Sequence, residues 1–406
     1  MSRAREFGAE GAGASAARGR GFLKGVPWTA TALLFMAHFV VDSHVSFLSP
    51  LLPLLREKFQ LSLGAVGMLV YLLSMSNALA QPLTAVVVDR WPRLPWLVVG
   101  VVGSSVCLTA VGWLPSYAAV AVVLPAGGAL AGLCHPDMGS RAGALSESRR
   151  GIIVSIFVTG GRLGFALGPL MAIAVAEWWG MEWLWVYVIV SVALVAAMRW
   201  GLPVPKARAG GGGSLGLGGL GAALRKAGAP LLILMGVTFS RAAVNVNFQG
   251  FLPTLYVDQG LSLWEGGAAN AILLLFGGAG VMLGGVLSGR FQTRSLIAAG
   301  IGAAFLATCA FFVAPPWLGY FVLAVMGTGL YLPMGVGVAL AQDLLPGHRG
   351  FASSLMLGAT WFLASLTVLP ITELAERVGL LRAFWVLPLF LLAGFFLALR
   401  LPKDRP

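Results

Sequence analysis

His38 and Asp42 stand four residues apart in an apolar run that begins at Trp28. On a helix that spacing puts both side chains on one face, a turn apart. Arg162 and Arg241 are likewise embedded in apolar runs. A charged group at membrane depth costs at least a few kcal/mol and persists only beside a partner or a water-filled cavity. At ~1.5 Å of rise per residue, His38 lies ~15 Å in from Trp28, Arg162 ~16 Å in from Gly151, and Arg241 ~16 Å in from Pro230. The three share one level, with Asp42 a turn beyond it.

The chemistry open to such a group is proton transfer and anion binding. A partly dehydrated cavity favours a neutral carboxyl, and a nearby arginine favours the ionised form. Asp42 is therefore a candidate proton carrier, or else one half of a static pair with an arginine. His38 could relay protons to it, orient it, or bond a neighbouring helix. A metal ion shared by His38 and Asp42 would need a third ligand that the sequence does not place. No metal and no cofactor is expected.

Arginine grips carboxylates and phosphates with a rigid fork, so Arg162 and Arg241 are candidates for binding an anionic substrate, or partners of Asp42. Asn245 and Asn247 follow Arg241 within two turns and could add hydrogen bonds. Gln81 and Asn270 could do the same, or tie helices together. His135, Asp137 and Arg141 are expected near the inner end of a helix as a gate, with Pro136 biasing His135 away from helical geometry. Asp89 and Arg90 join that gate, near Glu147, Arg149 and Arg150. Cys107, Cys134 and Cys309 form no C-x-x-C pair and read as packing residues. No G-x-x-x-x-G-K-[ST] pattern occurs, which argues against direct drive by ATP.

Positioning these groups takes long apolar helices. The chain has 406 residues, 58% hydrophobic and 10% charged. A soluble domain carries about 25% charged residues. Runs of about 20 apolar residues recur twelve times, the length a spanning helix needs. The first six lie near 28–55, 62–88, 95–113, 117–138, 151–176 and 182–200. The others lie near 229–255, 263–288, 294–314, 317–342, 350–375 and 380–400. The expected organisation is an all-α membrane protein of two six-helix bundles, 28–200 and 229–401. A disordered N-terminus (1–27), a Gly-rich linker (201–228) and a short tail (402–406) complete it. The first apolar stretch is too long for a cleaved signal and is expected to be retained.

The net charge of +12 is spread in short clusters between apolar runs, which argues against nucleic acid as a partner. With the N-terminus in the cytoplasm, all but six of the 27 Lys and Arg residues fall on the inner side or in the linker. Outer loops would hold only Arg56, Lys58, Arg377 and Arg382; Arg162 and Arg241 lie within helices. That asymmetry predicts cytoplasmic termini.

The halves repeat. Shifted by about 200 residues, Phe39 meets Phe239, Pro53 meets Pro253, Leu61-Ser62-Leu63 meets Leu261-Ser262-Leu263, Gly67 meets Gly267 and Arg90 meets Arg290. Parallel six-helix repeats are one known transporter plan. The loop motifs Asp89-Arg90 and Gly285 to Arg290 carry a resemblance to the major facilitator superfamily over 28–401. Gly164-Phe165-Ala166-Leu167-Gly168-Pro169 is similar to the core motif of its drug/proton antiporters. His38-x-x-x-Asp42, His135-Pro136-Asp137 with Arg141, and Ser155-Ile156-Phe157-x-x-Gly160-Gly161 resemble its fosmidomycin-resistance efflux group. The resemblance implies alternating access and helices 1, 5 and 7 around a central cavity. The expected function is proton-coupled export of a small anionic or amphiphilic molecule across a bacterial inner membrane, by a monomer and not an enzyme. An uptake symporter or a metal exporter are the alternatives.

Overall fold

The computed structural model describes residues 26–90, 95–147, 149–202, 217–346 and 348–402. Residues 1–25 of the expected disordered N-terminus, 203–216 of the linker and 403–406 of the tail lie outside the described residues.

The described chain is helical throughout. The first half holds α1 (Trp28–Phe59), α2 (Leu63–Arg90), α3 (Trp96–Gly112), α4 (Tyr117–Ala144), α5 (Arg150–Trp178) and α6 (Met181–Gly201). The second holds α7 (Leu217–Asp258), α8 (Leu263–Leu287), α9 (Thr293–Phe311), α10 (Pro316–Leu344), α11 (Phe351–Val378) and α12 (Leu380–Ala398). Eleven are long and apolar enough to cross a membrane, and α3 is shorter. Its last turn tightens to a 3-10 helix at Ala110–Gly112, where Gly112 lies against the backbone of Met181.

Three boundaries differ from the sequence reading. α7 begins at Leu217, so the second part of the stretch expected as linker is helical. α4 runs on to Ala144, six residues past its expected end and through Pro136. α1 breaks at Phe47, between Trp28–Ser46 and Leu48–Phe59. Pro50 has no N–H to give the carbonyl of Ser46, which loosens the turn. α11 is also irregular, with a π-turn at Leu355–Ala359.

The two halves share one packing pattern. α1 packs on α5 and α6, α2 on α4, and α3 on α4 and α6; α7 packs on α11 and α12, α8 on α10, and α9 on α10 and α12. Between halves, α1 meets α7, α2 meets α11 and α5 meets α8. Individual residues follow the repeat. Gly67 on α2 lies against Thr372 on α11, and Gly267 on α8 against Ile173 on α5. A Cβ at either glycine would overlap the facing side chain.

The halves are sealed at the end carrying the α1–α2 and α7–α8 connections. Arg56 and Asp258 pair at 3.0 Å. Glu376 accepts the backbone N–H of Gly64 at 2.8 Å, and its repeat counterpart Glu177 accepts the indole N–H of Trp264. Deeper in, Ser49 donates to the carbonyl of Gln249 at 2.7 Å, and Asn270 donates to both residues. Arg56 and Asp258 are each about one-third exposed, at 35% and 34%. A pair of that kind contributes ~0.2–1 kcal/mol. Arg56→Asp replaces that attraction with a repulsion of similar size and should therefore raise the population open at this end by up to about thirtyfold, and adding Asp258→Arg should reverse it. Spin labels on Gln60 and Gln259, both exposed, would report the separation. Equal distance distributions in all three proteins would remove the pair from the seal.

Candidate functional site

Close approach of α1 and α5 is what builds the site. Gly160 and Gly164 lie against the carbonyls of Phe35 and Phe39, and Gly168 against Ser43 and Ser46. Side chains there would hold the helices apart. Gly161 faces the carboxylate of Asp42 and the imidazole of His38, and a Cβ would collide with both. Overpacking of this sort costs ~1–3 kcal/mol and moves whatever can move. Gly161→Ala is expected to abolish transport while the protein still folds, and Gly278→Ala, where a Cβ meets nothing within 4 Å, should be inert. Equal transport by both variants would show that the Asp42–His38 geometry tolerates displacement.

Asp42 is buried, with 4% of its surface exposed, and it is held by two histidines. Its Oδ1 lies 2.8 Å from Nε2 of His135, and its Oδ2 lies 3.3 Å from Nε2 of His38. The ring of His38 stacks on Phe157 at 4.2 Å between centroids and meets His135 edge-on at 5.1 Å. Backbone carbonyls hold the far side of each ring: Phe157 O lies 2.9 Å from Nδ1 of His38, and Ala131 O 2.6 Å from Nδ1 of His135. The two Nε2 atoms and the carboxylate converge, with ligand atoms within 4.8 Å of one another. Only positive charge fits among them: protons in the two contacts, or one metal ion.

This differs from the sequence reading in two respects. The alternative of a static pair between Asp42 and an arginine is not formed among the described residues. His135, grouped by sequence with the gate, instead completes the Asp42 cluster. Asp137 and Arg141 pair with each other at 2.9 Å, as their spacing suggests. Asp89 and Arg90 close α2, and their side chains lie outside the described residues.

A cavity of about 330 Å³ lies between the halves. His38, Asp42, His135, Asn77, Gln81 and Arg162 give its first-half wall a polar face. The second-half wall is apolar and aromatic, with Tyr331, Met334, Leu357 and Trp361, and Gln249 as a polar exception. Gln81 donates to Asn77 at 3.1 Å. Arg162 lies over the ring of Tyr331 at 5.0 Å and beside the sulfur of Met334 at 3.0 Å. Among the described residues it forms no ion pair.

Arg241 sits at the same Tyr331 ring, at 5.7 Å, but outside the cavity wall. It is 1% exposed, and both terminal nitrogens lack hydrogen-bond partners among the described residues. The asparagines are also buried rather than lining. Asn245 donates to the Gln249 side chain at 3.2 Å, and Asn247 ties α7 to Thr367 on α11 at 3.0 Å. Asn270 belongs to the seal between the halves. Tyr331, Trp361 and Phe165 line the cavity without a sequence signal, because in so apolar a chain an aromatic residue facing a cavity looks like one facing lipid; Asn77, an amide in an apolar run one turn before Gln81, carried a signal that the sequence reading passed over.

A family model of the Major Facilitator Superfamily matches residues 34–368. The chain belongs to that superfamily. It is a multi-pass membrane transporter of small molecules, not an enzyme. An uncharacterized MFS-type transporter of Bacillus subtilis (strain 168), YfnC, is 25% identical over 398 residues, covering 92% of each chain. The fosmidomycin resistance protein of Escherichia coli (strain K12) is 24% identical over 383 residues, covering 91% of this chain and 92% of its own. Among solved structures, a mutant of the nucleoside transporter NupG superposes with a TM-score of 0.77 at 14% identity, covering 92% of this chain and 99% of its own.

Proposed function

We propose that this transporter is a proton-coupled exporter of small amphiphilic molecules that carry an acidic group. The observation that carries the reading is Arg162. It is a cation on the cavity wall with no acidic partner among the described residues, because the carboxylate that could neutralise it is engaged by His38 and His135. An uncompensated charge in a low dielectric is costly, and an anion on the substrate relieves that cost. The aromatic wall opposite suits the rest of the molecule. A volume of about 330 Å³ fits a compact ligand, at the low end of the ~300–1,000 Å³ of small-molecule sites.

Asp42, His38 and His135 are the proposed proton site. The two halves would rock about the cavity, as in other transporters built from repeats. The bacterial relatives favour an inner membrane, and the distribution of Lys and Arg favours cytoplasmic termini. The sealed end is then the outer one, and the protein stands inward-facing. Export is favoured by the likeness to a protein named for drug resistance.

Charge favours a second reading, uptake by symport. Protonation makes the cluster more positive, so an anion binds better, and by reciprocity the anion favours protonation. Partners that bind together travel together. Exchange instead requires them to alternate, with a substrate covering Asp42 and His135 and keeping protons off. Flux of fosmidomycin in right-side-out and inverted vesicles, with and without a pH gradient, separates the two. Export predicts accumulation in inverted vesicles acidified inside. Accumulation that instead needs acid outside is symport, and no response to the gradient in either orientation would end the coupling claim.

A further inference from the structure

The backbone around Asp42 dictates how many protons the cluster holds. A carbonyl oxygen only accepts, so the contacts from Phe157 and Ala131 require hydrogen on Nδ1 of both His38 and His135. If the rings were neutral, each Nε2 would turn a lone pair towards an oxygen of Asp42. Those contacts are 3.3 Å for His38 and 2.8 Å for His135. Two acceptors at hydrogen-bond distance with nothing between them repel. One proton on the carboxyl group satisfies one contact and leaves the other unmade.

We propose that the cluster binds two protons beyond the ionised carboxylate, one in each nitrogen–oxygen contact. This rests on the reading of the cluster as the proton site and adds its capacity. Opening the His135 contact takes separation of α1 from α4, and opening the His38 contact, which lies within α1, takes rotation of a side chain. The products are the Asp42 carboxylate, two neutral rings each keeping its Nδ1 hydrogen, and two protons passed to water.

The groups facing the cluster set the balance. From α5, Arg162 shares the cavity wall and opposes loading, while Gly161 offers no side chain. From α4, Cys134 is buried and gives its hydrogen to Ala131 O, and Asp137 is paired with Arg141. From α2, Asn77 and Gln81 are neutral. On α1 itself, His44 is buried against Phe47 and Tyr187, and no ion pair joins it to Asp42 among the described residues. Nothing else ionisable in this set competes for the two contacts.

Nitrogen NMR of the full chain, labelled at histidine and stripped of metal with a chelator, tests the capacity without any transport. At pH ~8, above the ordinary histidine value of ~6.5, free imidazole shows one bare, pyridine-type nitrogen. Wild-type protein should show none for His38 or His135, identified by His38→Gln and His135→Gln. In Asp42→Asn both should show one, with an unchanged His44 signal marking a preserved fold. A pyridine-type Nε2 on either residue in stripped wild-type protein overturns the proposal on that spectrum alone, whether the true occupant is a single proton or a metal ion removed by the chelator. Because no flux is read, failed transport in vesicles would leave this result standing, and the reverse.

Discussion

Proteoliposomes carrying Asp42→Asn should lose pH-gradient-driven movement of fosmidomycin down to the background of empty vesicles. The substitution keeps the shape and removes the only anion in the cluster. Both histidines would then be left without a counter-charge. Breaking a buried pair costs ~3–5 kcal/mol when the surviving charge stays buried. Here the rings can shed their protons instead, so the protein should fold and the coupling should vanish. Binding of the probe should stay within about threefold of wild type, since Arg162 and the aromatic wall are intact. Flux measured against an imposed gradient, with thermal unfolding of the same sample, checks both halves of the expectation. Driven flux at the wild-type rate in a normally folded variant would move the proton site away from Asp42, and Asp137 is the next carboxylate to examine.

The second large effect belongs to Arg162. Its fork should make charge-assisted hydrogen bonds worth ~1.5–3 kcal/mol to an acidic group. Arg162→Gln should therefore weaken binding of aromatic carboxylic acids by about 10- to 150-fold and leave the corresponding neutral amides almost unchanged. Arg241, out of the cavity wall and 1% exposed, can act only through space. Arg241→Gln should shift the same acids by less, and without changing which member of each acid–amide pair binds better. Competition binding at fixed pH reads all of these. If amides outcompete acids in wild-type protein and Arg162→Gln leaves that order in place, the arginine is structural and the substrate is not an anion.

Much of this could be read from the chain alone. Twelve apolar runs and the matched Pro, Gly and Arg positions predicted two similar halves, and Gly67 and Gly267 do occupy equivalent seams. Counting depth from helix ends brought His38, Asp42 and Arg162 to one cavity. The same count failed for Arg241, because distance along an axis says nothing about rotation around it. Arg241 is at the right depth and turned into the bundle, behind Tyr331. His135 was misplaced for a different reason. The sequence reading ended α4 near residue 138, which put His135 at the rim. The helix continues to Ala144, nine residues beyond His135 and therefore roughly 14 Å further. Helix ends are the least certain part of a sequence reading, and here an extra turn and a half of helix turned a rim residue into a partner of Asp42. The arginine sought as that partner was the natural guess from charge. A histidine on a neighbouring helix carries no such advertisement.

The unequal walls of the cavity divide the work between two parts of the gene. The charged side chains of the cavity sit on the first half, and the second half adds an apolar and aromatic wall around Tyr331, Met334, Leu357 and Trp361. Variation in the second half can thus retune which molecules are accepted without disturbing the proposed proton site. A lineage could exchange one cargo for another by drifting through apolar substitutions of similar volume, each individually mild. A chimera joining this first half to the second half of a relative is then a transporter with an inherited engine and a borrowed appetite.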